Sequence, residues 1–218
     1  MKAILLMAKP LVMIGAGGHA AVLAELLLAQ GKELIAVVSP DSIKDNSPLV
    51  ALKKIDNDND VVDIYSPHEV DLVNGVGSIP GNNTRSKVFD YFKEQGYHFP
   101  AVVSSGAMLS KYLKLEEGVQ VMLGAIVQTN ATIKKNTIIN TGAIIEHDCT
   151  IGENNHIAPG AALSGGVTTE NNVHIGTGAV VIQGIRIQKH AVIGAGTTIA
   201  RNVSTEQKLI PARSRVLK

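Results

Sequence analysis

The chain has 218 residues, a formal net charge of +1, 45% hydrophobic and 3% aromatic residues, no tryptophan and one cysteine. It is long enough to bury a core in one or two domains. Without a lysine or arginine block, and with few rings, it lacks the counterion-release and base-stacking surfaces of a nucleic-acid binder. Cys149 alone forms no intrachain disulfide and no cysteine cluster points to zinc, so a reducing, cytoplasmic setting without a bound metal is expected.

Met1 to Ala8 is apolar but stops at Lys9-Pro10, too short for a signal-peptide core or a membrane span, and reads as the lead-in to a strand. PLVMIGAGGHA then reads as a buried strand and tight turn, HAAVLAELLLAQG as a helix stopped by glycine, and ELIAVVS as a second strand. Asp56 to Asp60, beside Lys53-Lys54, reads as a solvated loop, since EF-hand spacing also requires a glycine and a distal glutamate. DVVDIYSP, VDLVNGVG and HFPAVVSS are further strand candidates, and NTRSKVFDYFKEQGY is an amphipathic helix. Residues 1–102 thus predict a small βαβ domain.

Gly15-Ala16-Gly17-Gly18-His19-Ala20 lies between strand and helix, where glycines let a phosphate approach backbone N–H groups at a helix N-terminus. Three glycines exceed what a tight turn needs, so a ligand is expected there. An NAD dehydrogenase fits less well: the domain is small, Asp41 lies later than the usual ribose-binding acid, and a repeat follows where a catalytic domain would be expected.

All seven aromatic residues lie before residue 113, which marks a boundary. From Val103 to Ser204 the chain divides without a gap into seventeen hexads, from VSSGAM through INTGAI, IEHDCT and IGENNH to IARNVS. Sixteen begin with Val, Leu or Ile, and Thr169 is the exception. The fifth position is mostly small or β-branched, as in Ala125, Ala143, Cys149 and Ala161. A large residue followed four later by a small one describes short sides meeting at tight corners, so residues 103–204 predict a parallel β-helix of five to six coils, followed by a tail at 205–218. Its interior takes aliphatics and alanine, not rings.

Within the hexads, Glu146-His147-Asp148 share one block, His156 ends the next, and His174 lies one coil of eighteen residues further. A histidine beside a carboxylate can act as general base, because the acid fixes its tautomer and stabilises the imidazolium. His174 and His190, taken alone, read as surface histidines, and His68 and His98 as structural.

IGAGGHA, NGVGSIPGNNTR, INTGAIIEHDCTIGENNHIAPGAALSGGV and the final PAR together resemble the sialic-acid and bacillosamine family of sugar acetyltransferases, the NeuD/PglD type, over essentially the whole chain. The resemblance implies a Rossmann-like N-terminal domain for the sugar or UDP-sugar, a left-handed β-helix for acetyl-CoA, and a homotrimer with sites between subunits. It assigns His147 as general base, Asp148 as its orienting acid and Glu146 as a neighbour on the substrate side. It places His156 and Asn140 near the thioester, with Gly165 and Ala195 also contacting the coenzyme, and Gly15, Gly17, Gly18, His19 and Asp41 on the nucleotide. The implied reaction is direct transfer without an acyl-enzyme, with Cys149 as packing. Two departures stand out: Val38-Ser39-Pro40-Asp41 replaces a run of acids after the second strand, and Leu209 replaces a glycine before Pro211-Ala212-Arg213. Rival readings are O-acetylation of sialic acid, transfer of a longer acyl chain, and a non-catalytic solenoid scaffold.

Overall fold

The computed structural model describes residues 8–211; Met1 to Met7 of the lead-in, and Ala212 and Arg213 of the PAR motif, lie outside the described residues. The chain divides into two compact units, Met1–Gly77 with Asn83–Pro100, and Ser78–Asn82 with Ala101–Lys218. Among the described residues no helix is long and apolar enough to cross a membrane.

The first unit is built on four parallel strands in the order β3-β2-β1-β4, where β1 is Leu11–Ile14, β2 Leu34–Val38, β3 Lys53–Ile55 and β4 Asp71–Asn74. Helix α1 (Gly18–Ala29) links β1 to β2 and ends where Gly31 takes a φ of 67°. Helix α3 (Thr84–Glu94) follows β4. Its Phe89 and Phe92 join Tyr97 and Phe99 in a ring cluster, with Phe89 and Phe99 centroids 4.8 Å apart. This core gathers six of the seven aromatics; Tyr112 lies exposed in the second unit.

Two expectations fail here. The acidic run and DVVDIYSP form neither a loop nor a strand: Asp58–Ile64 is helix α2. Asn57 caps it by accepting a hydrogen bond from the Asp60 backbone N–H at 3.1 Å, and Asp58 and Asp60 in the first turn complement the helix dipole. HFPAVVSS does carry a strand, Val102–Val103, which pairs with Gln120–Val121 in the second unit.

That second unit is a three-sided parallel coil whose two-residue strands stack into sheets of seven, six and five. The first face runs from Val102–Val103 to Lys208–Leu209, the second from Met108–Leu109 to Thr198–Ile199, and the third from Lys114–Leu115 to Arg186–Ile187. One coil reads Ile138–Ile139, Ile144–Ile145, Thr150–Ile151, then His156–Ile157 stacked in register on Ile138–Ile139. The first hexad residue points inward, so Ile133, Ile139, Ile145, Ile151, Ile157 and Ile175 are fully buried.

The fourth residue makes the corner. There the backbone turns left-handed, with φ of 55–61° at Asn130, Asn136, Asp148, Asn154, Asn172 and His190, and 64–70° at eight glycines from Gly118 to Gly196. Only glycine adopts this region freely, and Asn and Asp tolerate it best among the rest. His190 is thus a corner residue.

Thr169 breaks the aliphatic pattern because it anchors a buried polar network. Its hydroxyl accepts from the Gly152 N–H at 3.1 Å and from Asn155 Nδ2. Asn155 Oδ1 in turn accepts from the Val173 N–H at 2.7 Å, and Thr137 Oγ1 donates to the Gly152 carbonyl at 2.7 Å. The coil also continues past Ser204: Lys208–Leu209 stacks on Val192–Ile193, and the Gly194 N–H donates to the Leu209 carbonyl at 2.7 Å. The leucine at 209 packs on the last of the core.

Replacing Ile151 by Ala is expected to cost about 2–5 kcal/mol in chemical denaturation, and Ala161→Phe to cost more because the prism has no space for a ring. Thr169→Val is expected to cost about 1–3 kcal/mol, since two buried donors lose their acceptor. A Thr169→Val variant as stable as the parent would show that the network is dispensable.

Candidate functional site

In the first unit the strand order reverses between β1 and β4, and the loops leaving those two strands part around a cleft of about 530 Å³. Gly15, Gly17, Gly18, His19 and Asp41 all line it, as the sequence suggests. Ser39, Ser42, Lys44 and Gly75-Val76-Gly77 line it as well, beyond the residues the sequence pointed to; the glycine pair directly after β4 was the available signal. Gly17 caps α1 without a side-chain hydrogen bond, and no acid occupies the first turn, so the cleft receives N–H groups and a positive dipole end. The Asp41 N–H donates to Ser39 Oγ at 3.1 Å, which shapes the loop after β2.

The NGVGSIPGNNTR motif builds the opposite wall. Arg85 Nη1 donates to the Asn74 carbonyl at 2.9 Å and to the Val76 carbonyl at 2.7 Å. Asn74 Nδ2 donates to the Arg85 carbonyl at 3.0 Å, and its Oδ1 accepts from the Val76 N–H at 3.2 Å. Burial pushes the Arg85 guanidinium down to about 9. Gly75 is required because a Cβ there would lie 2.7 Å from the Ala20 Cβ and the Met13 Sδ.

On the coil, His147 and Asp148 stand exposed at the corner between the second and third faces, with His147 Nδ1 2.7 Å from Asp148 Oδ2. The hydrogen bond to Asp148 raises the His147 pKa above its ordinary value; desolvation opposes it, and the charges of Asp148 and Glu146 add smaller upward effects. Hydrogen bonds from His147 and then Asn130 hold the Asp148 carboxyl below the usual range. Glu146 is half-buried beside them.

Asn140 and His156 form a second pair, Nδ2 to Nε2, at 3.0 Å. Asn140 Oδ1 accepts from the Thr141 N–H at 2.8 Å, so its amide nitrogen faces the imidazole and His156 Nε2 is the acceptor. The His174 ring packs edge-on at 5.0 Å between centroids, and burial lowers the His174 pKa. His174 is thus a packing partner of His156 rather than a surface residue. Ala195 is exposed on the corner that Asn140 opens, several coils along.

His147 and His156 do not meet within one chain. The Asn140 corner joins the first and second faces, His156 lies on the first face, and the His147 corner joins the second and third. The whole second face separates them. Gly165 lies against the His147 ring, a placement that spacing alone did not reveal.

Residues 10–92 match the family model described as PglD N-terminal domain, and residues 130–165 match bacterial transferase hexapeptide (six repeats). Comparison with curated proteins gives no match. Among solved structures, PerB from Caulobacter crescentus, in complex with CoA and GDP-perosamine, is 30% identical over 90% of this chain and 91% of that one, with a TM-score of 0.79. The chain belongs to the PglD-type sugar acetyltransferases. The acetyltransferase domain of PglB from Neisseria gonorrhoeae, solved with acetyl coenzyme A, is 29% identical over 93% of this chain and 96% of that one, with a TM-score of 0.81. As a PglD-type acetyltransferase the protein pairs a Rossmann-like first unit with a left-handed β-helix. WeeI from Acinetobacter baumannii, 22% identical with a TM-score of 0.79 over 96% of this chain and 100% of that one, shares the fold.

Because Asp148 supplies the largest upward influence on His147, Asp148→Asn is expected to lower the His147 pKa, read directly from its imidazole signals in an NMR titration. An unchanged titration would mean the pair is not formed in solution.

Proposed function

We propose that this PglD-type enzyme transfers the acetyl group of acetyl-CoA to the amine of a nucleotide-linked amino sugar in surface glycan biosynthesis, with His147 as general base. The observation that carries the reading is the His147–Asp148 pair: a carboxylate on Nδ1 leaves Nε2 as the basic nitrogen on an exposed corner. Complexes of the relatives with acetyl coenzyme A, and with CoA and GDP-perosamine, support the two substrates. The glycine-walled cleft supports a nucleotide diphosphate, since it offers the α1 N-terminus and Lys44 to an anion.

In this mechanism His147 Nε2 accepts a proton from the sugar amine as its nitrogen bonds to the thioester carbonyl carbon and the carbon–sulfur bond breaks. Asp148 stabilises the imidazolium, which returns the proton to the departing thiolate or to water. Asn140 orients the His156 imidazole through its Nε2. Direct transfer suits the one thiol nearby. Cys149 is buried, its Sγ is 3.3 Å from the Ser164 carbonyl, and burial pushes the thiol up to about 11, where it is a poor nucleophile.

The same reading includes a homotrimer. The outward residues of the second face, Met108, Ile126, Ile144, Ala162 and Val180, stack in register as an apolar stripe, with Met108 60% and Val180 41% exposed. That stripe lies between the His147 and Asn140 corners, so a copy packed against it completes a site from both edges. The reaction belongs in the cytoplasm, with its thioester substrate.

His147→Ala is expected to lower turnover about 10²- to 10⁴-fold with acetyl-CoA affinity and Tm nearly unchanged, measured by thiol release on a panel of UDP- and GDP-linked amino sugars and free sialic acid. Since the His147 pKa is raised and the base must be neutral, the rate should fall on the acid side from a pH above that of an unpartnered imidazole. Full activity in His147→Ala would place the base elsewhere; turnover of sialic acid alone would make the acceptor a hydroxyl. Sedimentation should give a trimer, and a fully active monomer would remove the shared site.

A further inference from the structure

The His147–Asp148 pair occupies one coil, yet its geometry depends on the coils either side. The Asp148 carboxylate is divided: Oδ2 faces His147 at 2.7 Å, and Oδ1 accepts from Asn130 Nδ2 at 3.1 Å. Asn130 is the corner residue of the preceding coil, with φ of 59° beneath the 61° of Asp148, and the Asp148 N–H donates to the Thr129 carbonyl at 3.1 Å. The two side chains are therefore stacked by the coil register itself.

On the opposite side, the Gly166 N–H of the following coil donates to the His147 carbonyl at 2.9 Å. This brings Gly165 beneath the imidazole. A Cβ on Gly165 would lie 2.6 Å from His147 Cε1, 2.7 Å from Nε2 and 3.2 Å from Nδ1. Gly165 is not among the glycines with a positive φ, so its backbone is open to any residue. What excludes a side chain there is the ring.

We infer that Asn130 and Gly165 are positioning residues for His147, Asn130 holding the Asp148 carboxylate in line with Nδ1 and Gly165 providing the floor on which the ring rests. The base is thus assembled from three consecutive coils. This rests on the reading of His147 as the base, and it differs from a role for Gly165 as a coenzyme contact. The charged groups facing the ring are Asp148 and Glu146, both from its own coil; Thr129 and Asn130 before it, and Gly165 and Gly166 after it, bring no titratable group.

The test is Gly165→Ala and Asn130→Gly, the second keeping the left-handed corner while deleting the amide. For Gly165→Ala the displaced ring loses Asp148, so kcat should fall about 10²-fold with little change in KM for acetyl-CoA. The acid limb of the rate profile, and the His147 titration followed by NMR, should both move to lower pH. Asn130→Gly should lower kcat about tenfold with KM unchanged. A raised KM for acetyl-CoA with an unmoved His147 titration would overturn the inference in favour of a coenzyme contact. If the His147 titration moves in Gly165→Ala while kcat does not, the positioning stands and the reading of His147 as base fails. Wild-type kcat in a folded Asn130→Gly removes Asn130 from the proposal.

Discussion

The second unit rests on one backbone requirement: at the end of most short strands the chain must enter the left-handed region, turn, and return in hydrogen-bond register with the coil before it. Glycine and asparagine meet that requirement nearly everywhere, and at position 148 aspartate does so. The acid that holds the histidine is therefore first a corner residue. Its φ, its height above Asn130 and the direction of its carboxylate follow from the turn before any chemistry is considered. A side-chain pair built this way needs no loop, and the repeats between Met108 and Ile199 contain none.

In the first unit the corresponding constraint is the reversal of strand order between β1 and β4, which parts two loops and opens the cleft. The loop after β1 is held open by glycines at the head of α1. The loop after β4 is held by Asn74 and Arg85, whose four hydrogen bonds to each other and to Val76 stiffen that wall of the cleft. A motif that resembles a binding signature is, at its two ends, a clamp that shapes the cleft.

The β-helix was legible because its pattern is covalent: an aliphatic every sixth residue states both the face and the coil. Hidden from that pattern were features that depend on a neighbouring coil, such as the Gly152 N–H donor that makes Thr169 tolerable inside the prism and the ring that forbids a side chain at Gly165. Helix α2 was hidden for a different reason. The β-branched residues Val61, Val62 and Ile64 favour a strand, and the Asn57 cap decides otherwise. Spacing also separates the two site histidines. His147 and His156 are nine residues apart, half of the eighteen-residue coil, so periodicity alone places them away from each other. Asn140 and His156, sixteen apart, fall close to one full coil and do meet.

The coil also dictates how this chain can change length. An extra hexad inserted in phase carries every later residue forward by one face. Placed between His147 and Gly165, it would put a different side chain under the imidazole and move Ala195 to another edge. Only gain or loss of whole coils preserves the angular position of the residues beyond the change, and even that separates groups along the axis. Tolerated insertions should therefore bulge outward at a corner without advancing the winding. The corner that carries His147 acts as a ruler, and its repeat is eighteen residues.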